Sequence, residues 1–103
     1  MDHDHLISSD ATQELCDTLA SLENAQEIAR FLKDLCTPQE LSALAERWRI
    51  CKLLEQGDLS YRDIHAITGA SLVTIGRVAR FLKHEPTKGY KTALETLKKK
   101  AKL

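Results

Sequence analysis

Apolar residues recur at intervals of three and four along most of the chain, and no stretch keeps the two-residue alternation of a half-buried strand. The spacing predicts helices throughout. Leu15 and Leu19 mark a first helix over residues 11–19. Asn24 opens a second, with Glu27 three residues on as a capping box and Ile28, Phe31, Leu32 and Leu35 as its apolar side. Thr37-Pro38-Gln39-Glu40 is the clearest start signal: a capping threonine, a proline suited to the first helical position, and a glutamate able to reach back. The third helix runs to about Gln56, where Gly57 stops it. Its apolar residues, Leu41, Leu44, Trp48 and Cys51 with Ile50, Leu53 and Leu54 beside them, form a stripe too broad for a simple surface helix.

Residues 60–83 carry the pattern that decides the functional reading. Ser60 and Asp63 form a capping box flanked by the hydrophobic-staple pair Leu59 and Ile64. After about two turns Gly69 can take the left-handed conformation that ends a helix. Ser71 then caps a second helix with Ile75, Val78, Ala79 and Leu82 on one apolar face. Its other face offers Thr74, Arg77 and Arg80, with Lys83 at the C-terminal end. An apolar anchor behind and hydrogen-bond donors in front make a helix-turn-helix with a reading helix. An ordinary pair of packed short helices is the alternative. Past this motif, Pro86 breaks the chain and Thr87 is placed to cap a last helix over residues 87–103.

The 103 residues suit one all-α domain: helices for dimerisation over residues 11–56, the helix-turn-helix over 60–83, and the C-terminal helix. So many large apolar residues in so short a chain predict a core shared between two subunits, a homodimer, with a well-packed monomer as the alternative. Net charge is zero, which argues against indiscriminate coating of nucleic acid. The distribution is uneven. Residues 1–36 carry eight acids and two bases, residues 37–83 five acids and seven bases, and residues 84–103 two acids and six bases. Attraction to phosphate is therefore local to the C-terminal two thirds. The tail Lys98-Lys99-Lys100-Ala101-Lys102 reads as a solvated, frayed end.

Other chemistry is thin. Cys16, Cys36 and Cys51 are an odd set without a C-x-x-C pair and read as reduced, buried thiols of a cytoplasmic protein. No apolar run approaches the roughly 20 residues of a membrane span, and the acidic start does not resemble a secretory leader. His3 and His5 lie beside Asp2 and Asp4 but are read as part of a mobile terminus, and His65 and His84 lack ligand-spaced neighbours. No metal, no cofactor and no enzymatic activity are expected, because no nucleophile motif or phosphate-cradling loop occurs.

From Thr37 to Lys83 the chain resembles the Trp-repressor superfamily without a gap, in Thr37-Pro38, Glu40, Ala43-Leu44, Arg47, Arg49-Ile50, Leu54, Gly57, Ser60, Arg62, Gly69-Ala70, Thr74-Ile75, Arg77 and Leu82-Lys83. Asp34 to Thr37 and Thr68 to Ser71 look more like the uncharacterised YerC/YecD-type branch than the tryptophan-sensing repressor. The resemblance implies a six-helix, intertwined homodimer whose paired helix-turn-helix units enter successive major grooves of a palindromic operator in double-stranded DNA. The residues expected to bind DNA are Arg62, Ser71, Leu72, Val73, Thr74, Gly76, Arg77, Arg80 and Lys83. Arg62 is the candidate for bidentate contact with guanine, and Arg80 and Lys83 are candidates for phosphate.

The same resemblance implies an effector pocket at Thr37, Arg47, Arg77, Val78 and Phe81. Val78 and Phe81 replace a glycine and a serine that leave space for the amino acid in the tryptophan-sensing protein. L-Tryptophan is therefore not the expected effector; another small molecule stays open, as do phosphate contact or a surface ion pair for Arg47 and Arg77. The expected function is a sequence-specific transcriptional repressor. A helical protein-interaction module that no longer meets DNA is the alternative, favoured slightly by Gly76, since glycine inside a helix costs roughly 1 kcal/mol against alanine.

Overall fold

A computed structural model describes the backbone of residues 3–102 and the side chains of residues 10–102. Every regular element among them is helical: α1 (His3–Ser21), α2 (Ala25–Leu35), α3 (Pro38–Gln56), α4 (Tyr61–Thr68), α5 (Leu72–Lys83) and α6 (Gly89–Ala101). None is long and apolar enough to cross a membrane. Two compact units divide the chain, one up to Leu41 and one from Ser42, so that the boundary falls inside α3.

In the first unit the caps form as their sequences dictate. The Asn24 side chain accepts from the Glu27 N–H at 2.9 Å. The Glu27 carboxylate reaches one residue further back than a capping box requires, to the N–H of Glu23. Thr37 and Glu40 do form the box, with bonds of 2.8 and 3.1 Å. α1 is longer than residues 11–19, and nothing is described of the side chains of His3 and His5. Despite its apolar side, α2 buries no residue, and Leu35 is 51% exposed.

The second unit holds the core. Ile50 and Cys51 of α3, Ile64 of α4, Ile75, Val78 and Leu82 of α5 and Leu94 of α6 pack into one apolar cluster, with Ala70 from the turn between α4 and α5. Leu59 packs against it beside Ile64, as a staple pair should. Only Cys51 of the three cysteines is buried; Cys36 is half-buried and Cys16 exposed, which corrects the expectation of three buried thiols. Burial, assisted by nearby Glu55, pushes the Cys51 thiol up to about 11, so it stays protonated and inert.

α6 departs from expectation at both ends. Thr87 does not cap it. The cap is Lys88, held in the left-handed region at φ 56° with no side-chain hydrogen bond. The helix then continues to Ala101, so Lys98, Lys99 and Lys100 stand on ordered helix rather than on a frayed tail.

Candidate nucleic-acid interface

The turn between α4 and α5 is fastened from several directions. The Ser60 hydroxyl accepts from the Asp63 N–H, and the Asp63 carboxylate accepts from the Ser60 N–H, both at 3.0 Å. These bonds hold the Asp63 carboxyl below its usual range, the backbone N–H contributing most. Gly69 ends α4 at φ 76°, and its N–H returns to the His65 carbonyl at 2.8 Å. Two side chains that sequence reasoning left without a task complete the turn. His65 Nδ1 donates to the Ala70 carbonyl at 2.6 Å. The Thr68 hydroxyl donates to the Ile64 carbonyl and accepts from the Ala70 N–H. An isolated histidine or threonine at a helix C-terminus carries no pattern that announces such a bond.

With the turn set, Ser71 caps α5, its hydroxyl accepting from the Thr74 N–H at 3.1 Å. The Ser71 hydroxyl also donates to Thr74 Oγ1 at 3.0 Å. Ile75, Val78, Ala79 and Leu82 are buried on the inner side of α5. The outer side is fully presented: Val73 is 83% exposed and Leu72 57%, with Arg77 and Arg80 beside them. An exposed valine on a helix whose other side is packed has no use for its methyls inside this chain. Gly76 is half-exposed, and a Cβ built on it meets nothing within 4 Å, so no intrachain packing requires glycine there.

The cationic residues divide into two sets. Arg77 and Arg80 share the Phe81 ring, their guanidinium carbons 4.5 and 5.1 Å from its centroid. Arg80 is also held by Glu85 at 3.4 Å. Both contacts restrict the arginines on the exposed side of α5. Lys83 follows Gly76 by seven residues, about two turns, and so emerges at the C-terminal end of α5 on the edge that Leu72 and Gly76 share. It lines a separate cleft with Leu54, Glu55, Leu82, Lys91, Glu95 and Lys98. Arg62 is exposed on the first turn of α4 and forms no ion pair among the described residues.

Of the five residues expected to frame an effector pocket, Arg77 and Phe81 come together. They line a cleft of about 230 Å³ with Thr87, Gly89 and Tyr90. Tyr90 in turn stacks on Trp48, with ring centroids 6.4 Å apart. Val78 is turned into the core at 1% exposure and Arg47 does not reach this cleft. Thr37 belongs to the first unit, where its hydroxyl accepts from the Glu40 N–H.

Comparison with known proteins identifies the family. Residues 10–98 match the family model described as Trp repressor protein. The chain is 38% identical over 85 residues to the uncharacterized protein YerC of Bacillus subtilis, spanning 82% of this chain and 80% of YerC. It is 37% identical over 87 residues to a Trp operon repressor homolog of Aliivibrio salmonicida, spanning 82% and 81%. The crystal structure of a TrpR like protein from Eubacterium eligens superposes with a TM-score of 0.79 at 35% identity, covering 85% of this chain and 89% of that one.

Proposed function

From its membership of the Trp repressor family, whose proteins are DNA-binding regulators rather than enzymes, we propose that this chain is a homodimeric, sequence-specific repressor that reads double-stranded DNA without tryptophan. The observation that carries the reading is the outer side of α5. Its inner residues are packed, while Leu72, Val73, Arg77 and Arg80 are exposed and Thr74 and Gly76 half-exposed among them. The helix enters the major groove. Val73 and Leu72 offer apolar contact to thymine methyls, Thr74 and Arg77 offer hydrogen bonds to base edges, and Gly76 admits close approach of the backbone. Arg62 reaches guanine from α4, and the Ser71 cap sets the entry angle. Arg80 and Lys83 take phosphates.

A homodimer is supported by the first unit. None of its described side chains is buried, yet Ile28, Phe31, Leu32 and Leu35 recur at helical spacing on α2. A second copy supplies the missing cover, and its two-fold axis matches a palindromic operator with half-sites one helical turn, about 34 Å, apart.

Independence from tryptophan is supported by Val78 and Phe81. Val78 is core, and the Phe81 ring already holds the Arg77 guanidinium that a ligand carboxylate would otherwise engage. The arginines of the reading helix are thus ordered by the chain's own side chain. Selection of bound duplexes from a random pool, with and without L-tryptophan, tests all three claims. A palindromic consensus recovered equally in both conditions is expected. No enrichment, or enrichment strengthened more than about tenfold by tryptophan (a coupling of about 1.4 kcal/mol), overturns the reading.

A further inference from the structure

Lys83, at the C-terminal end of α5 on the edge it shares with Leu72 and Gly76, lines a cleft beside α6. It encloses about 470 Å³, with Leu54 and Leu82 among its lining residues and Lys83, Lys91 and Lys98 set against Glu55 and Glu95. Lys98 lies 3.7 Å from Glu55, with both side chains largely in solvent. Lys83 and Lys91 form no ion pair among the described residues. Two ammonium groups therefore make no direct ion pair, a third is weakly held, and with three lysines against two glutamates the concavity, to which the reading helix contributes, keeps a net positive charge. The cationic row continues along α6. Lys91, Lys98 and Lys102 are spaced by seven and four residues, which returns each to nearly the same side of the helix.

We infer that this cleft and the α6 row are a second phosphate-binding surface, which takes the DNA backbone flanking the site read by α5. The inference rests on the proposed DNA-binding function and deepens it. The partner is assigned by charge and by continuity: lysine ammoniums bind phosphate as flexible point charges, and Lys83 joins the cleft to the helix that carries the reading residues. The contact extends beyond the helix-turn-helix and adds affinity without sequence preference.

The test measures binding to a 40-base-pair duplex of random sequence between 50 and 200 mM salt. The wild type is compared with Lys91→Gln/Lys98→Gln, with Glu95→Gln and, as a control on the other side of α6, with Lys100→Gln. Losing two phosphate contacts per subunit, four per dimer, lowers the slope of log affinity against log salt by about 3.6, so the wild type loses about 150-fold more affinity than the double variant across that range. Glu95→Gln tightens binding, and Lys100→Gln leaves the slope unchanged. All substituted residues are exposed, and circular dichroism confirms that each variant is folded. A double variant that binds with the wild-type slope overturns this inference alone, as does an equal loss on Lys100→Gln. A wild type with no affinity for any duplex overturns it together with the proposed function.

Discussion

Replacing Gly76 by alanine should strengthen the fold and weaken the function. Alanine exceeds glycine in a helix interior by about 0.8–1.0 kcal/mol, because glycine has more backbone freedom to lose. That gain is realised only if the new methyl meets no obstacle, and a Cβ at this position has nothing within 4 Å. The expected stabilisation is therefore about 1 kcal/mol, or about 4–8 °C in Tm for a domain of this size. In a complex the outcome reverses. If α5 approaches the duplex through Gly76, the methyl occupies space that DNA fills, and overpacking of about 1–3 kcal/mol corresponds to roughly 5- to 150-fold weaker binding. Thermal unfolding and a titration of the selected duplex, run on the same preparations, give both numbers. A variant that is more stable and binds within twofold of wild type refutes the close approach. A variant that is less stable refutes the reading of open space around Gly76.

Phe81→Leu keeps apolar bulk but removes the ring beneath Arg77 and Arg80, so two contacts of about 0.5–1 kcal/mol each are lost and duplex affinity should fall by about tenfold; an unchanged titration would show that the ring does not order the arginines. Gly69→Ala should destabilise by about 1–2 kcal/mol although its Cβ has free space, since φ 76° is strained for any side chain, and a chemical denaturation midpoint at or above wild type would contradict this. The Glu40 and Asp63 carboxyls are held low by the backbone N–H groups of Thr37 and Ser60 and by their hydroxyls. The folded state therefore binds their protons less readily, and the stability they contribute is present above their ordinary values of 4.5 and 3.8 and is lost as pH falls through the lowered folded values. Denaturation curves for Glu40→Gln and Asp63→Asn should accordingly flatten below about pH 4.5 relative to wild type, and curves parallel to wild type would exclude the linkage.

Much of this protein is determined locally. The capping pairs Thr37 with Glu40 and Ser60 with Asp63, the cap Ser71 and the left-handed Gly69 each act over a few residues, so their order along the chain sufficed to place α3, α4 and α5. The inner face of α5 was equally legible, because residues at helical spacing share a side whatever they pack against. Where local signals conflicted with geometry, they misled. Thr87 had the chemistry of a cap, yet the chain turned at Lys88, whose left-handed backbone no side-chain pattern announces. Arg77 and Phe81 stand four residues apart on α5, so their contact too follows from spacing along one helix, whereas tertiary structure alone stacked Tyr90 of α6 on Trp48 of α3 and carried Lys83 into a cleft with Lys91 and Lys98. Those groupings depend on how helices cross and how turns aim side chains. Sequence spacing orders residues around one helix axis but leaves the relation between axes to the packing of the core.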